Sequence, residues 1–376
     1  MALARIVGFE TGNSQEATAT SGTFSIVTSP VKTGTYALET NPTTTAVGLF
    51  TIAGVGTNGV DAVFGLGTIY GKFDFRYATK AAANDEEIVQ LVAISATRKA
   101  SIRLNSSGNL VVYDRTNALV ATGSTVLSAN TWYRIELKFV AGAAGAYEVK
   151  IDGTSELSGT GDWVASNFDR VRLGKVTDSN SQTVDYFYDD VIVSDSAYPG
   201  AMQVSKAGIV TANGSTMQWT AGTGASNYLE VDEVPSDSAT YAKSTGSAGD
   251  VALFAMQDSS TIGFTGTINA VEGYVIARED ASVTSAMSIR VRSGSTNSDS
   301  VGFNGSTGLS PIYRLLETDP DTSAAWTTAG IDALEVGIVE ANAVADRCSA
   351  VYVMVVYTAA SGTIVAPVFL MMKAGV

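Results

Sequence analysis

The sequence has no histidine and one cysteine among its 376 residues. Without histidine, Ser-His-Asp and Cys-His catalysis are excluded. With a single thiol, the usual zinc ligand sets are excluded as well, and Cys348 can form no intrachain disulfide. It stands just ahead of an apolar run at residues 351–357 with Arg347 as its adjacent cation, so it reads as a buried thiol rather than a reactive one. Charge is also scarce. Asp, Glu, Lys and Arg make up 16%, and 23 basic against 37 acidic residues leave a formal charge of −14. No block of Lys or Arg occurs, so nucleic acid and anionic membranes are disfavoured as partners. The apolar run at residues 364–372 contains Pro367 and is too short to span a bilayer. The first ten residues read as a strand and not as a signal peptide, which gives the expectation of a protein made in the cytoplasm without a membrane anchor.

What is present favours short strands. Hydrophobic residues reach 45%, and the uncharged remainder is rich in Gly, Ser, Thr, Ala and Asn. Over residues 69–77, Ile69, Phe73, Phe75 and Tyr77 share one face, while Tyr70, Lys72, Asp74 and Arg76 share the other. Residues 132–139 repeat the pattern with Tyr133, Ile135, Leu137 and Phe139 against Arg134, Glu136 and Lys138. Tyr147, Val149 and Ile151 continue it up to the Asp152-Gly153 turn. Residues 106–109 separate two apolar runs as a hairpin turn. The reading is all-β, with tandem antiparallel β-sandwich or jelly-roll domains. The Pro199-Gly200 stretch, between Asp195 and Lys206, divides domain 1–198 from domain 203–376.

In the second half, strands are expected at 217–220, 228–231, 251–256, 271–278, 287–292, 334–339, 351–357 and 364–372, with one helical turn near 323–329. The runs at 351–357 and 364–372 are almost continuously apolar, so both of their faces should be covered. The cover would be the other domain, a neighbouring subunit or a further partner, which gives the expectation of a homo-oligomer.

Five pieces then carry a resemblance: Phe9-Glu10-Thr11-Gly12, Gly34-Thr35-Tyr36-Ala37-Leu38, Trp132-Tyr133-Arg134-Ile135-Glu136-Leu137, Val149-Lys150-Ile151-Asp152-Gly153 and Tyr188-Asp189-Asp190-Val191-Ile192-Val193. In that order they resemble the laminin-G-like, concanavalin-A-like jelly roll over residues 1–198. The second half resembles modules of bacteriophage structural and tail-associated proteins, through Trp219 with residues 228–232, Asp237 to Tyr241, Trp326 with residues 331–337, and residues 351–357. The resemblance implies a non-enzymatic virion protein assembled in the host cytoplasm: a capsid decoration, a head or tail fibre, or an adhesin. Its implied partners are itself, other virion proteins and host surface glycans. A glycan-binding lectin module is the alternative, and a polysaccharide-degrading enzyme the third reading.

Candidate chemistry follows from the same residues. Tyr186, Tyr188 and Trp163 are candidates for stacking on sugars, with core packing or a subunit interface as the other explanation. The resemblance implies that calcium could sit at a rim on Asp189 and Asp190, or in the Thr177-Asp178-Ser179-Asn180 loop. Otherwise Asp189 would bond backbone amides at a strand end. Hydrolases of this fold carry a Glu-x-Asp-x-x-Glu pattern, which is absent. Asp85-Glu86-Glu87 read as a loop, and Asp185, Asp189 and Asp190 lack a Glu in phase. Gly54-Val55-Gly56-Thr57-Asn58-Gly59 spells G-x-G-x-x-G but opens no helix, so it reads as a β-loop. No cofactor other than calcium is expected.

Overall fold

Alternation builds the first half. In the strand Thr68–Thr79, Ile69, Phe73, Phe75 and Tyr77 enter one core, and Ile135, Leu137 and Phe139 of the neighbouring strand Tyr133–Val140 enter it beside them. The computed structural model describes residues 2–360 apart from 44–46, 56–60, 165, 176–182, 225, 281–285 and 305–306. The run at 364–372, the loop holding Asp178 and most of the glycine motif lie outside the described residues.

Two antiparallel sheets form the first sandwich. One has eight strands and is centred on Thr68–Thr79, Asp185–Ser194 and Tyr133–Val140. The other has seven, in the order Leu119–Val126, Asn109–Tyr113, Arg98–Leu104, Glu86–Val92, Arg170–Leu173, Gly48–Ile52 and Ala19–Gly22. Their facing side chains make a single core that runs from Val7 to Val193.

Every named strand from Met202 onward belongs to one 12-stranded sheet. The strand Gly208–Met217 turns this sheet over itself. Its first two residues pair with Asp346–Ala359, and from Val210 on it pairs with Val251–Met256. Strands that switch sheets in this way make the corners of sandwiches. One wing contains Asp346–Ala359, Gly266–Glu279 and Ser310–Leu316; the other contains Val251–Met256, Glu335–Glu340 and Ala286–Ser293. Val271, Val275, Val351 and Val353 of the first wing meet Phe254, Ile289, Val336 and Ile338 of the second. The protein is thus all-β, with two antiparallel sandwiches in tandem.

A third apolar cluster lies between the sandwiches. Ile6, Ile192, Met202 and Val204 pack there against Tyr274, Ile276, Tyr313, Tyr352, Met354 and Val356. The strand Asp346–Ala359 is therefore buried on both faces, with Val351, Val353 and Val355 in one core and Tyr352, Met354 and Val356 in the other. Hydrogen bonds fix the docking. Tyr313 Oη donates to the Gln15 carbonyl at 3.3 Å, and the Leu3 amide donates to Glu317 at 2.8 Å. The Val204 amide donates to Asp190 at 2.7 Å.

Three local expectations change. The strand expected at 217–220 is interrupted, since Gln218 and Trp219 lie between the strands Gly208–Met217 and Thr220–Ala221. Residues 228–231 are not a strand, because Asn227–Glu230 is a 3-10 turn. The Asn227 side-chain Nδ2 donates to the Trp219 carbonyl, and Glu230 accepts from the Tyr241 backbone amide, which ties the segment down locally. The expected helical turn lies slightly later, at Thr328–Asp332, where the Thr327 hydroxyl caps the Gly330 amide.

Candidate ligand-binding face

The three aromatic candidates are core residues. Trp163, Tyr186 and Tyr188 are each 0% exposed, so none offers a ring face to a sugar. Trp163 stands edge-on to Phe139 and Tyr147, at 5.0 and 5.6 Å between centroids, and its indole donates to the Gly145 carbonyl at 2.7 Å. A Cβ at Gly161 would lie 2.4 Å from its ring, so the glycine makes room for it. Tyr186 and Tyr188 pack on Phe75 at 5.4 and 5.5 Å. Glycan stacking is therefore corrected to core packing for all three. A polar end on an aromatic ring does not say which way the ring faces.

The carboxylates divide among structural tasks. Glu86 and Glu87 are not in a loop; they open the buried strand Glu86–Val92. Glu87 lies 3.1 Å from Arg103 and 3.5 Å from Arg98. Asp85 accepts a 2.6 Å bond from Tyr113 Oη. Burial first, and then this bond, pushes the Tyr113 phenol up to about 12. Asp185 pairs with Glu39 of the adjacent strand, and burial and then Glu39 push its carboxyl up to about 6. Two hydrogen-bonded carboxyls leave no room for a glycosidic bond, which needs roughly 5 Å or more between them.

Asp189 and Asp190 lie at the junction of the sandwiches, both fully buried. Asp189 accepts from the Lys32 and Thr33 amides at 2.8 and 3.1 Å. Asp190 accepts from the Thr33 hydroxyl and from the Val204 amide. Lys72, itself buried, bonds Asp74 at 2.5 Å and stands 3.6 Å from Asp190. Burial works against the Lys72 ammonium, but the Asp74 and Asp190 carboxylates outweigh it and hold its pKa above the usual lysine value. Glu10 accepts from the Thr35 and Tyr36 amides. Burial, opposed by those amides, pushes its carboxyl up to about 9. The surplus of buried negative charge suits a cation. The donors around Asp189 and Glu10, however, are amides, and no three acidic side chains among the described residues converge as metal ligands. A nearby recess of about 130 Å³, lined by Lys32, Lys72, Asp74 and Arg134, is smaller than the roughly 300–1,000 Å³ of small-molecule sites.

A polar row built on rigid strands also lies on the outer face of the seven-stranded sheet, where Arg172 and Tyr113 are half-buried and Thr51, Gln90 and Ser101 form a floor only 2–3% exposed. One residue from each of five adjacent strands lines up there: Thr51, Arg172, Gln90, Ser101 and Tyr113 are successive cross-strand partners. At about 4.8 Å per strand the row is roughly 19 Å long. Arg103 stacks its guanidinium 4.0 Å over the Tyr113 ring and bonds Ser101 and Asn117. Arg172 donates to Gln90 Oε1 at 3.2 Å. Arg98 lies beside Arg103, and Arg170 precedes Arg172 by two positions on the same face. Burial, and then Arg170, lowers the Arg172 pKa. Sequence reading missed this face. The signal was the alternation Arg170-Val171-Arg172-Leu173, whose apolar members are core.

No family model matches the sequence, and no curated relative matches it. Among solved structures it is similar to the cellulose induced protein Cip1, at 14% identity over 52% of this chain and 99% of that one, with a TM-score of 0.38. It is also similar to a conserved carbohydrate esterase from the Shiga toxin-encoding bacteriophage phi24B, at 14% identity over 47% and 88% of the chains and a TM-score of 0.33. A third is the carbohydrate binding module CBM66 from Bacillus subtilis, at 10% identity over 46% and 92% and a TM-score of 0.32. These values are too low to bear on function.

Proposed function

We propose that the chain is a non-enzymatic, surface-binding component of a bacteriophage particle, and that its first sandwich binds glycans through the outer face of the seven-stranded sheet. The observation that carries the binding role is the row from Thr51 to Tyr113, in which five strands hold the half-buried Arg172 and Tyr113 in register over a polar floor. Sites on strands hold their geometry better than sites on loops. The virion setting is supported by the resemblance of the second half to phage structural modules and by the Ser/Thr/Gly-rich, cysteine-poor composition. Other virion proteins and further copies of the chain are the proposed partners. The apolar run at 351–357 lends self-association no support, since the first sandwich covers it from within the chain. No helix among the described residues is long and apolar enough to cross a membrane.

Two experiments test the reading. Mass spectrometry of purified phage particles should find the chain at stoichiometric abundance, and its absence from particles would remove the virion role. A glycan array should show retention of the full-length protein, weakened by Gln90→Ala. Turnover of a bound polysaccharide to shorter products would overturn the non-enzymatic assignment.

A further inference from the structure

The outer face of the seven-stranded sheet gathers Arg98, Arg103, Arg170 and Arg172. Glu87 is shared by Arg98 and Arg103 at 3.5 and 3.1 Å. Arg170 and Arg172 form no ion pair with any described residue, and the partner of Arg172 is the neutral Gln90. The Nε groups of Arg98, Arg170 and Arg172 are all buried and lack a hydrogen-bond partner among the described residues. A buried unsatisfied donor costs about 1–3 kcal/mol, so three on one face call for an acceptor. The chain as a whole carries −14, so this is a local concentration of arginine and not a general basic surface.

A guanidinium presents its N–H groups as a planar fork that matches a carboxylate with two parallel bonds. Two forks, two positions apart on one strand, therefore suit carboxylate groups. Among the neutral members of the row the half-buried Tyr113 suits a hydroxyl, above a floor of Thr51, Gln90 and Ser101. Their even spacing suits a linear ligand with repeating units.

We propose that Arg170 and Arg172, with Gln90 of the adjoining strand holding Arg172 from below, form a carboxylate subsite, and that the ligand is an acidic polysaccharide containing uronic acid residues laid across these arginines toward Tyr113. This rests on the glycan-binding reading and narrows it to anionic glycans. The test is calorimetric titration of the full-length protein with hexamers of the common uronic acids and with their methyl esters, which keep the sugar and remove the charge. At least one acid form should bind about tenfold or more tightly than its ester. Arg170→Gln and Arg172→Gln should each weaken it by a similar factor, and the double variant should abolish it, all with little change in the thermal midpoint. Arg290→Gln, in the second sandwich, should leave binding intact. Equal affinity for acid and ester, or binding of neutral glycans alone, would overturn the carboxylate subsite and leave the glycan reading standing. Unchanged binding by the double variant would overturn it too, as would an oligonucleotide that competes at equal charge. No binding to any glycan would overturn both.

Discussion

The two sandwiches each have a sheet whose second face points away from its own core, and the two faces have opposite character. On the wing built around Asp346–Ala359, the second face carries Ala350, Tyr352, Met354 and Val356, and the first sandwich covers it. On the seven-stranded sheet, the second face carries Arg172, Gln90, Ser101 and Tyr113, and no apolar cluster of the described residues lies over it. The first face is apolar at almost every position and becomes an interface. The second alternates with the core residues and remains polar. A sheet's uncommitted face thus declares its use through its side chains: apolar for a permanent partner, polar for a ligand that comes and goes.

The hardest blow to this contrast should fall on the covered face. Tyr274 lies 4.7 Å from Tyr313 and 5.9 Å from Tyr352 in the cluster between the sandwiches. Tyr274→Ala should cost about 3–5 kcal/mol of unfolding free energy by the cavity it leaves. In urea the wild-type halves should unfold together, and the variant should separate them. Two independent transitions in the wild type, with no effect of the substitution, would show that the covered face holds nothing together.

A second test separates core from ligand surface within the first sandwich. Trp163→Phe removes the bond to Gly145 and part of a tightly fitted ring, and should cost about 1–3 kcal/mol. Glycan retention by the folded variant should not change. Lost binding with unchanged stability would return Trp163 to the ligand site.

A smaller effect is expected at the junction. Glu10 titrates near 9 in the folded chain against 4.5 ordinarily, because it is buried. Between those pH values the folded state keeps a proton that the unfolded state releases. Its contribution to stability is therefore complete below about pH 4.5 and is lost as pH rises toward 9. Glu10→Gln, which mimics the protonated form, should flatten the fall in thermal midpoint between pH 5 and 9. If calcium instead raises the wild-type midpoint and Glu10→Gln abolishes that rise, a cation rather than a proton balances the cluster. The smallest effect belongs to the open face. Arg172→Gln should change stability by about 1 kcal/mol or less, since the lost bond to Gln90 is offset by relief of an unsatisfied buried donor and of a like-charge neighbour. A loss as large as that of Tyr274→Ala would mean that the two faces do not differ in kind.

Much of the fold was legible. The alternation at Ile69, Phe73, Phe75 and Tyr77 places those residues in the core, and the hairpin around Gly108 joins Arg98–Leu104 to Asn109–Tyr113. The aromatic candidates failed for a specific reason. In Asp185–Ser194, Tyr186 and Tyr188 share the core with Val191 and Val193, which strict alternation forbids. The register breaks between Asp189 and Ile192, with Asp190 in a left-handed conformation at φ 49°, and the extra residue moves the core to the other set of positions. A bulge leaves no period in the sequence, so the facing of Tyr186 and Tyr188 could not be read. The candidate face was missed because its five central residues lie on five strands far apart in the chain.

The sequence by itself determined the class of fold, the strands and the two sets of side chains on each, because a strand's period of two follows from local geometry. It also determined that residues 351–357 need cover on both sides. Only the tertiary structure decided that the cover is the first sandwich, that Asp189 and Asp190 are spent on backbone amides at that junction, and that Arg170, Arg172 and Gln90 stand together. Those outcomes depend on register and on docking between distant strands, and pairing across the chain is set by the packing of whole sheets rather than by any local pattern.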